Sequence, residues 1–202
     1  MGNRLSKIYT RTGDDGTSAL ADGKRIDKNS IIFGVMGEID ELNSHIGMAK
    51  SLFDDIANFS EESLNKTDFS ESLSIIQHLL FNMGGEIAML NNKEPYSAIE
   101  QLHIDWLEQK IDSMNSILPA LKDFILPSGS IAVSQLHITR SICRRCERNF
   151  CTLQNQHSSI NPISAKFLNR LSDFLFVAAR FVAKAQQQNE VLWNKEVLKP
   201  FA

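Results

Sequence analysis

The chain has 202 residues, a length that fits one domain with its own buried core, here residues 1–202. Its formal net charge of -3 gives no overall attraction to nucleic acid or to an acidic membrane surface, so any phosphate recognition must be local. Three cysteines are too few for a disulfide framework. With no signal-peptide pattern and no apolar run near the ~20 residues that cross a bilayer, the sequence predicts a soluble cytoplasmic protein.

The N-terminal stretch Ile8–Gly23 has the composition of a loop that can surround a phosphate. It contains three glycines, four Thr and Ser residues and paired aspartates, without a helical or strand period. Backbone amides freed by glycine, together with hydroxyl groups, suit a nucleotide phosphate, although the Walker and dinucleotide motifs are absent. A plain turn-rich arm explains the composition equally well. Lys24, Arg25 and Lys28 follow and would add positive charge beside bound phosphates.

Apolar residues spaced three to four apart predict five helices after this arm. The predicted helices are Ile31–Met48, Leu73–Leu90, Ile99–Leu118, a segment around Leu136–Phe150, and Ile163–Gln188. No strand alternation and no internal repeat accompany them. The pattern therefore predicts an all-α fold, a five-helix bundle.

Two residue pairs have the types and spacing seen in metal sites. Glu100 and His103 match the Glu-x-x-His element of di-iron bundles, which need two copies and two more glutamates, and only one copy is present. Cys143 and Cys146 form a Cys-x-x-Cys element without a second pair. We therefore interpret both pairs as structural.

The segment Leu136–Phe150 carries a charge pattern with a functional implication. Arg140, Arg144 and Glu147 follow at steps of four and three, which places them on one face of a helix. This segment contains four arginines and no lysine. A solvated face accepts lysine as readily, whereas guanidinium groups suit bidentate contacts with anions. The pattern favours a polyanion site, with a solvated face as the alternative. Ser128 or Ser130 is the expected N-cap of this helix.

Four separated segments together resemble the ATP:cob(I)alamin adenosyltransferase family of the propanediol-utilisation type. They are YTRTGDDGTSAL (Tyr9–Leu20), DELNSHIG (Asp40–Gly47), the FILPSGS turn with the arginine-rich helix (Phe124–Arg148), and FLNRLSDFLFVAAR (Phe167–Arg180). The segments occur in the family's order and span nearly the whole chain. The resemblance implies a five-helix bundle assembled as a homotrimer, with each active site between adjacent subunits.

Members of this family transfer the 5'-deoxyadenosyl group of ATP to the cobalt of cob(I)alamin, which gives adenosylcobalamin and triphosphate. The resemblance thus implies an enzyme of this type that uses ATP with Mg²⁺ and takes cobalamin as a substrate. It also implies a reductase and an adenosylcobalamin-dependent enzyme as further partners. Neither nucleic acid nor a membrane is expected as a partner.

The resemblance also implies where the nucleotide binds. A nucleotide-binding arm, residues 8–30, would precede a helical bundle, residues 31–190. The arm residues that match ATP-binding positions of the family are Thr10, Arg11, Thr12, Gly13 and Ser18, with Thr17 beside them and Lys28 as a phosphate-binding lysine. The bundle residues that match positions around the triphosphate and its Mg²⁺ are Arg144, Glu147 and Arg148, with Glu147 as the metal candidate and Asn169 as a nucleotide contact.

Three further residues match catalytic positions of the family. Arg140 corresponds to an arginine that pairs with an aspartate of a neighbouring subunit, here Asp40. Phe124 corresponds to an aromatic residue at the lower face of the corrinoid. An apolar wall that displaces the lower ligand leaves cobalt(II) four-coordinate and easier to reduce, so the protein tunes its reactivity. Ser128 departs from the family, which usually has glycine there.

Two other functions remain open. A corrinoid-binding delivery protein would keep this fold without efficient chemistry, although it would have no use for the triphosphate residues Lys28, Arg144 and Asn169. A helical scaffold or ferritin-like metal protein is disfavoured by the single Glu-x-x-His element and by the arginine-rich helix.

Overall fold

The computed structural model describes residues 8–57, 66–91 and 96–201. Within these ranges five α-helices form the body: α1 (Ile31–Asp54), α2 (Lys66–Ala88), α3 (Gln101–Asn115), α4 (Ile131–Gln156) and α5 (Pro162–Ala185). Two short strands, β1 (Thr17–Ala19) and β2 (Arg25–Asp27), precede them, and a 3₁₀-helix (Lys195–Phe201) follows. The predicted five helices are confirmed, and none of them is long and apolar enough to span a bilayer in the described part of the chain.

The strands are a correction to the prediction of a fold without strands. β1 and β2 pair antiparallel, with Ser18 opposite Ile26, and Ile26 rests against the helical core. Each strand has three residues, which is too short for an alternating pattern to stand out in the sequence. Ala21 N donates to Ala88 O at 3.0 Å, so the hairpin is fastened to the C-terminal end of α2.

The helices pack so that α4 lies between α1 and α5. α1 also packs against α2, and α5 packs against α3. Phe69 of α2 joins the two sides, with its ring centroid 4.5 Å from that of Phe53 and 6.2 Å from that of Phe174. Such aromatic pairs bury large apolar areas and dominate the energetics of a core. One continuous core therefore holds all five helices.

The helix ends follow from capping side chains and buried residues. Ser130 Oγ accepts from Val133 N at 3.3 Å, so Ser130 rather than Ser128 caps α4. Asn161 caps α5. Pro162 occupies the first position of this helix, where a backbone N–H would have no intrahelical acceptor and proline has none to satisfy. α1 continues beyond its predicted end at Met48 because Ala49 and Phe53 extend its buried face.

The Glu100/His103 and Cys143/Cys146 pairs, whose spacing matches metal sites, have structural roles. Glu100 N donates to His103 Nδ1 at 3.0 Å and forms a capping box at the start of α3. Cys143 and Cys146 are fully buried, and the Cys143 thiol donates to Leu168 O at 3.3 Å. Burial raises the pKa of Cys146 to about 12 and also raises that of Cys143 well above its ordinary value, so both are thiols rather than metal-binding thiolates.

Candidate functional site

The arginine-rich face of α4 points away from the core. Leu136, Cys143, Cys146 and Phe150 are buried on the inner side, while Arg144 and Arg148 are exposed and Arg140 and Glu147 are half-buried on the outer side. The helix has no Gly or Pro to interrupt this division. The predicted placement of Arg140, Arg144 and Glu147 on one face is confirmed.

Two predicted binding residues meet at the seam between α4 and α5, and two predicted arginines lie beside them on α4. Asn169 Nδ2 on α5 donates to Glu147 Oε1 at 2.9 Å. One turn earlier, the backbone oxygen of Arg144 accepts from Arg148 Nη1 at 2.9 Å, which directs the Arg148 side chain back along α4 towards Arg144. Amide, carboxylate and guanidinium groups are thus adjacent, and together they can bind a phosphate chain and an associated cation.

Arg140 is placed differently from the exposed arginines. Its guanidinium carbon lies 5.4 Å from the centroid of the Phe176 ring. Burial and then the charge of Arg144 lower the pKa of Arg140, while Asp173 opposes this effect. Asp40 is exposed on α1, and no ion pair joins Arg140 to Asp40 within the described residues. Their predicted pairing would therefore require a second subunit.

Arg145, the remaining arginine of this segment, faces α1 instead. It pairs with Glu41, and its Nε lies 3.4 Å from Glu38 Oε1, which also accepts from Asn149 Nδ2 at 2.7 Å. The Glu41 hydrogen bond raises the pKa of Arg145. This ion-pair network joins α4 to α1 beside the buried apolar contact between the two helices, so Arg145 is engaged with α1 and not with the outer face. Sequence reasoning missed this role, although two glutamates three residues apart on α1 were a signal.

Phe124 is presented to solvent on a segment that the C-terminal region supports. Its side chain is 81% exposed. Trp193 N donates to Phe124 O at 2.7 Å, and Leu126 N donates to Val191 O at 2.7 Å. The backbone of this segment is thus held by residues 191–193, while the Phe124 ring faces solvent as an apolar surface. The sequence did not reveal this pairing because the two paired segments are only about three residues long.

A groove connects this segment to the arginine-rich face. Its volume is about 500 Å³, and it runs from Pro127 and Ser134 past Ile138 and Ser141 to Arg148. His137, which the sequence analysis did not single out, forms part of its floor and is 5% exposed. Burial and then the charge of Arg140 lower the pKa of His137, so its imidazole is neutral at neutral pH. The groove thus has a cationic end and an apolar end.

The N-terminal arm brings most of its predicted binding residues into one turn. Lys28 Nζ donates to Gly13 O at 2.7 Å, and a Cβ on Gly13 would lie only 2.9 Å from that nitrogen. Thr10 Oγ1 and Thr12 Oγ1 are 2.8 Å apart. Arg11 has a left-handed backbone with φ of 60°. The position of Gly13 therefore requires a residue without a side chain if the lysine is to approach the turn.

The arm and the arginine-rich face are not joined within one chain. Ser18 lies on β1, opposite Ile26. Among the described residues, the only hydrogen bond between the arm and a helix other than α1 is that of Ala21 N to Ala88 O on α2, and Ile26 adds an apolar contact with the core. In the described ranges, no hydrogen bond or ion pair connects residues 8–30 with α4. The predicted arm residues and the predicted α4 residues are thus two separate groups in a single chain.

Comparison with known proteins identifies relatives over nearly the whole chain. The sequence model of a family described as cobalamin adenosyltransferase matches residues 8–182. A cobalamin adenosyltransferase of Cupriavidus metallidurans is 42% identical over 196 residues, which cover 97% of this chain and 98% of that protein. A corrinoid adenosyltransferase of Bacillus subtilis is 41% identical over 192 residues, which cover 95% of this chain and 94% of that protein.

Solved structures give the same result for the fold. A variant of the PduO-type ATP:corrinoid adenosyltransferase from Lactobacillus reuteri, complexed with cobalamin and ATP, superposes with a TM-score of 0.80. It is 37% identical, and the alignment covers 93% of this chain and 99% of that chain. A second variant of that protein, complexed with ATP, superposes with a TM-score of 0.80 at 38% identity, covering 93% of this chain and 100% of that chain.

Proposed function

The chain belongs to the cobalamin adenosyltransferase family, and on that premise we propose that it is a corrinoid adenosyltransferase. It moves the 5'-deoxyadenosyl group of ATP to the cobalt of cob(I)alamin and gives adenosylcobalamin and triphosphate. One observation carries this function for the chain's own residues. A groove of about 500 Å³ has Arg148, one of the residues assigned to the triphosphate, at one end and runs to Pro127, three residues from the exposed Phe124, at the other.

The nucleotide is held by two groups of residues. In the arm, Thr10, Arg11, Thr12, Gly13, Thr17, Ser18 and Lys28 surround the phosphates with hydroxyls, backbone groups and an ammonium. On the helices, Arg144, Arg148 and Asn169 bind the triphosphate, and guanidinium groups neutralise its charge as it leaves. The density of cationic donors on α4 supports this assignment.

Glu147 is the residue that fits a magnesium ion bound with the triphosphate. Its Oε1 accepts from Asn169, and within the described residues it makes no ion pair, although Arg144 and Arg148 are close in sequence. Mg²⁺ usually takes one or two carboxylates together with substrate phosphates, so one glutamate at this position is sufficient. The ion, when bound, would neutralise charge on the departing triphosphate.

Phe124 forms the wall at the lower face of the corrinoid. Cobalt(I) is a strong nucleophile that is hard to make, because the axially ligated cobalt(II) state resists reduction. An apolar ring in place of the lower ligand makes the cobalt(II) state easier to reduce, so the protein tunes the reactivity of its substrate. The supported backbone around Phe124 is consistent with this role.

The transfer itself is a displacement at the ribose. The electron pair of cobalt(I) attacks C5' and forms the cobalt–carbon bond, while the bond from C5' to the phosphate oxygen breaks and triphosphate leaves with its electrons. Binding both substrates in a fixed pose supplies the in-line approach. No protein nucleophile is needed.

The assembly proposed is a homotrimer with sites between adjacent subunits. The separation of the arm from α4 within one chain supports a site that two chains complete. Arg140 is half-buried and makes no ion pair within the described residues, which supports a contact with Asp40 of the adjacent subunit. A cytoplasmic location, a reductase that supplies cobalt(I), and an enzyme that uses the product belong to the same proposal.

The test is an anaerobic assay of the purified protein with chemically reduced cob(I)alamin and magnesium ATP. The cobalt spectrum and triphosphate release are followed together. We expect light-sensitive adenosylcobalamin with one triphosphate per turnover. Binding of ATP and corrinoid without product would instead indicate the delivery protein, with Ser128 as the first residue to exchange for glycine. Binding of neither would contradict both functions.

Replacing Arg144 with alanine is expected to weaken ATP binding. A charge-assisted contact of ~1.5 to 3 kcal/mol corresponds to a roughly 10- to 150-fold higher Kd for ATP. Titration calorimetry measures this change. Lys50→Ala is the control, because it removes one positive charge from a surface ion pair with Asp54 on α1 and should leave the Kd unchanged. Equal ATP affinity in Arg144→Ala and the parent would remove Arg144 from the site.

A further inference from the structure

Arg25 on β2 contacts both ends of the turn that precedes β1. Its Nη2 donates to Thr12 O and, at 3.1 Å, to Thr17 O, while its Nε donates to Thr17 Oγ1 at 2.9 Å. Between these residues the chain makes a tight turn, closed by Gly16 N donating to Gly13 O at 3.3 Å. Gly16 has φ of 84°, which favours glycine. One side chain therefore cross-links the residues before and after the turn.

Asp15 completes this arrangement from inside the turn. Its Oδ1 accepts from Thr17 N at 3.0 Å and from Thr17 Oγ1 at 2.8 Å, and it lies 3.4 Å from Arg25 Nη2. The Thr17 hydroxyl thus donates to Asp15 and accepts from Arg25, which fixes its direction. The Thr17 backbone and hydroxyl bonds lower the pKa of Asp15, which keeps its carboxylate ionised opposite the guanidinium.

The same turn positions Lys28. Gly13 O, which closes the turn, also accepts from Lys28 Nζ at 2.7 Å, and Gly16 O accepts from Lys28 N at 2.9 Å. If the turn opened, both acceptors of Lys28 would move. The position of the phosphate-binding lysine therefore depends on the contacts of Arg25.

We propose that Arg25, with Asp15, is a positioning residue that holds the turn Thr12–Thr17 and Lys28 in the conformation that binds the nucleotide. This inference rests on the proposed function of the arm. The sequence suggested that Arg25 adds charge beside the phosphates, but its donors are directed into the arm itself. An ordered turn binds more tightly, because the entropy of ordering is lost during folding rather than on binding. Lysine cannot replace Arg25, since an ammonium lacks the planar fork that reaches these acceptors together.

The experiment compares the parent chain with Arg25→Ala, Arg25→Lys and the control Lys50→Ala. The control removes the same charge from α1, outside the arm, where Lys50 pairs with Asp54. ATP affinity is measured by calorimetry, and kcat and KM are measured with cob(I)alamin. We expect both Arg25 variants to raise Kd and KM for ATP by about tenfold, with kcat and corrinoid affinity close to the parent. Lys50→Ala should behave as the parent.

Three results would overturn the positioning role. Parent-like ATP affinity in Arg25→Lys would show that the positive charge alone is sufficient. Parent-like ATP affinity in Arg25→Ala would show that the contacts of Arg25 do not contribute to ATP binding. The third concerns Thr17→Val, which removes one of the acceptors of Arg25. The effects of Thr17→Val and Arg25→Ala on ATP affinity should therefore combine to less than their sum, and fully additive effects would separate the two residues. A parent chain that binds no ATP would overturn the proposed function as well, which distinguishes the two failures.

Discussion

Removing either Arg140 or Asp40 is expected to destabilise the assembled enzyme by on the order of 3 to 5 kcal/mol. Arg140 is half-buried, lies over the Phe176 ring and makes no ion pair within the described residues. Burial and then the charge of Arg144 lower the pKa of Arg140, and the charge of Asp173 offsets this only in part. If Asp40 of the adjacent subunit supplies the counter-charge, removal of one partner leaves the other desolvated and unpaired.

The measurement is denaturant unfolding of Asp40→Ala and Arg140→Ala at one fixed protein concentration, together with sedimentation and the adenosyltransferase assay. Asp54→Ala is the matched control on the same helix, because its partially exposed ion pair with Lys50 should be worth less than about 1 kcal/mol. The reversed pair, Asp40→Arg with Arg140→Asp, should recover part of the loss. An Asp40→Ala variant with the trimer stability and activity of the parent would count against the pairing.

Replacing Glu86 with leucine is expected to destabilise the fold by on the order of 3 kcal/mol or more. Glu86 is 5% exposed, and its oxygens accept from Ala98 N at 3.0 Å and Asn161 N at 3.3 Å, with Ser164 Oγ at 3.2 Å. The carboxylate thus joins α2 to the segment before α3 and to the start of α5. Leucine would leave these donors buried without an acceptor, at about 1 to 3 kcal/mol for each group.

Urea unfolding of Glu86→Leu measures this loss, with Glu71→Leu as the control. Glu71 lies on the same helix but is exposed, so its replacement should change the free energy of unfolding by no more than about 0.5 kcal/mol. Similar small effects for both variants would show that the Glu86 contacts contribute little to the fold.

The effect of Glu86→Gln should depend on pH. Burial raises the pKa of Glu86 above 4.5, although its hydrogen bonds oppose the change. The folded chain therefore holds this proton more tightly than the unfolded chain. The resulting stability is complete below the ordinary carboxyl pKa and is lost as the pH rises through the raised value. Because glutamine does not titrate, the free energy of unfolding of the parent minus that of Glu86→Gln should fall as the pH rises. A value that rises with pH would contradict this sign.

Much of the fold was predictable from local patterns. Five apolar positions of the first predicted helix are buried in α1, namely Ile32, Val35, Ile39, Leu42 and Ile46, and a sixth, Met36, packs half-buried against the core. The division of α4 into an apolar side and an arginine side was also predictable, since both depend only on helical periodicity. The hairpin of the arm was not, because three-residue strands carry too little pattern to separate them from turns.

The candidate site was predictable in its residue types more than in its geometry. The arm glycines and the arginines of α4 identified phosphate-binding chemistry, and resemblance to a family named the residues. Neither could say that the Thr17 hydroxyl is engaged by Asp15 and Arg25, or that His137 lies buried beside Arg140 in the groove. Such contacts depend on side-chain directions that spacing alone does not give.

By itself, the sequence determined which segments are helices, which helix face is charged, and which loop can hold a nucleotide. These properties are local, because residue type and spacing within a few turns fix them. Only the tertiary structure decided which partner each charge has. It directs Arg145 to Glu41, 104 residues away in the chain, and the Phe124 segment to Trp193. Periodicity tells which face a residue occupies, whereas the neighbour that meets that face is set by how the helices pack.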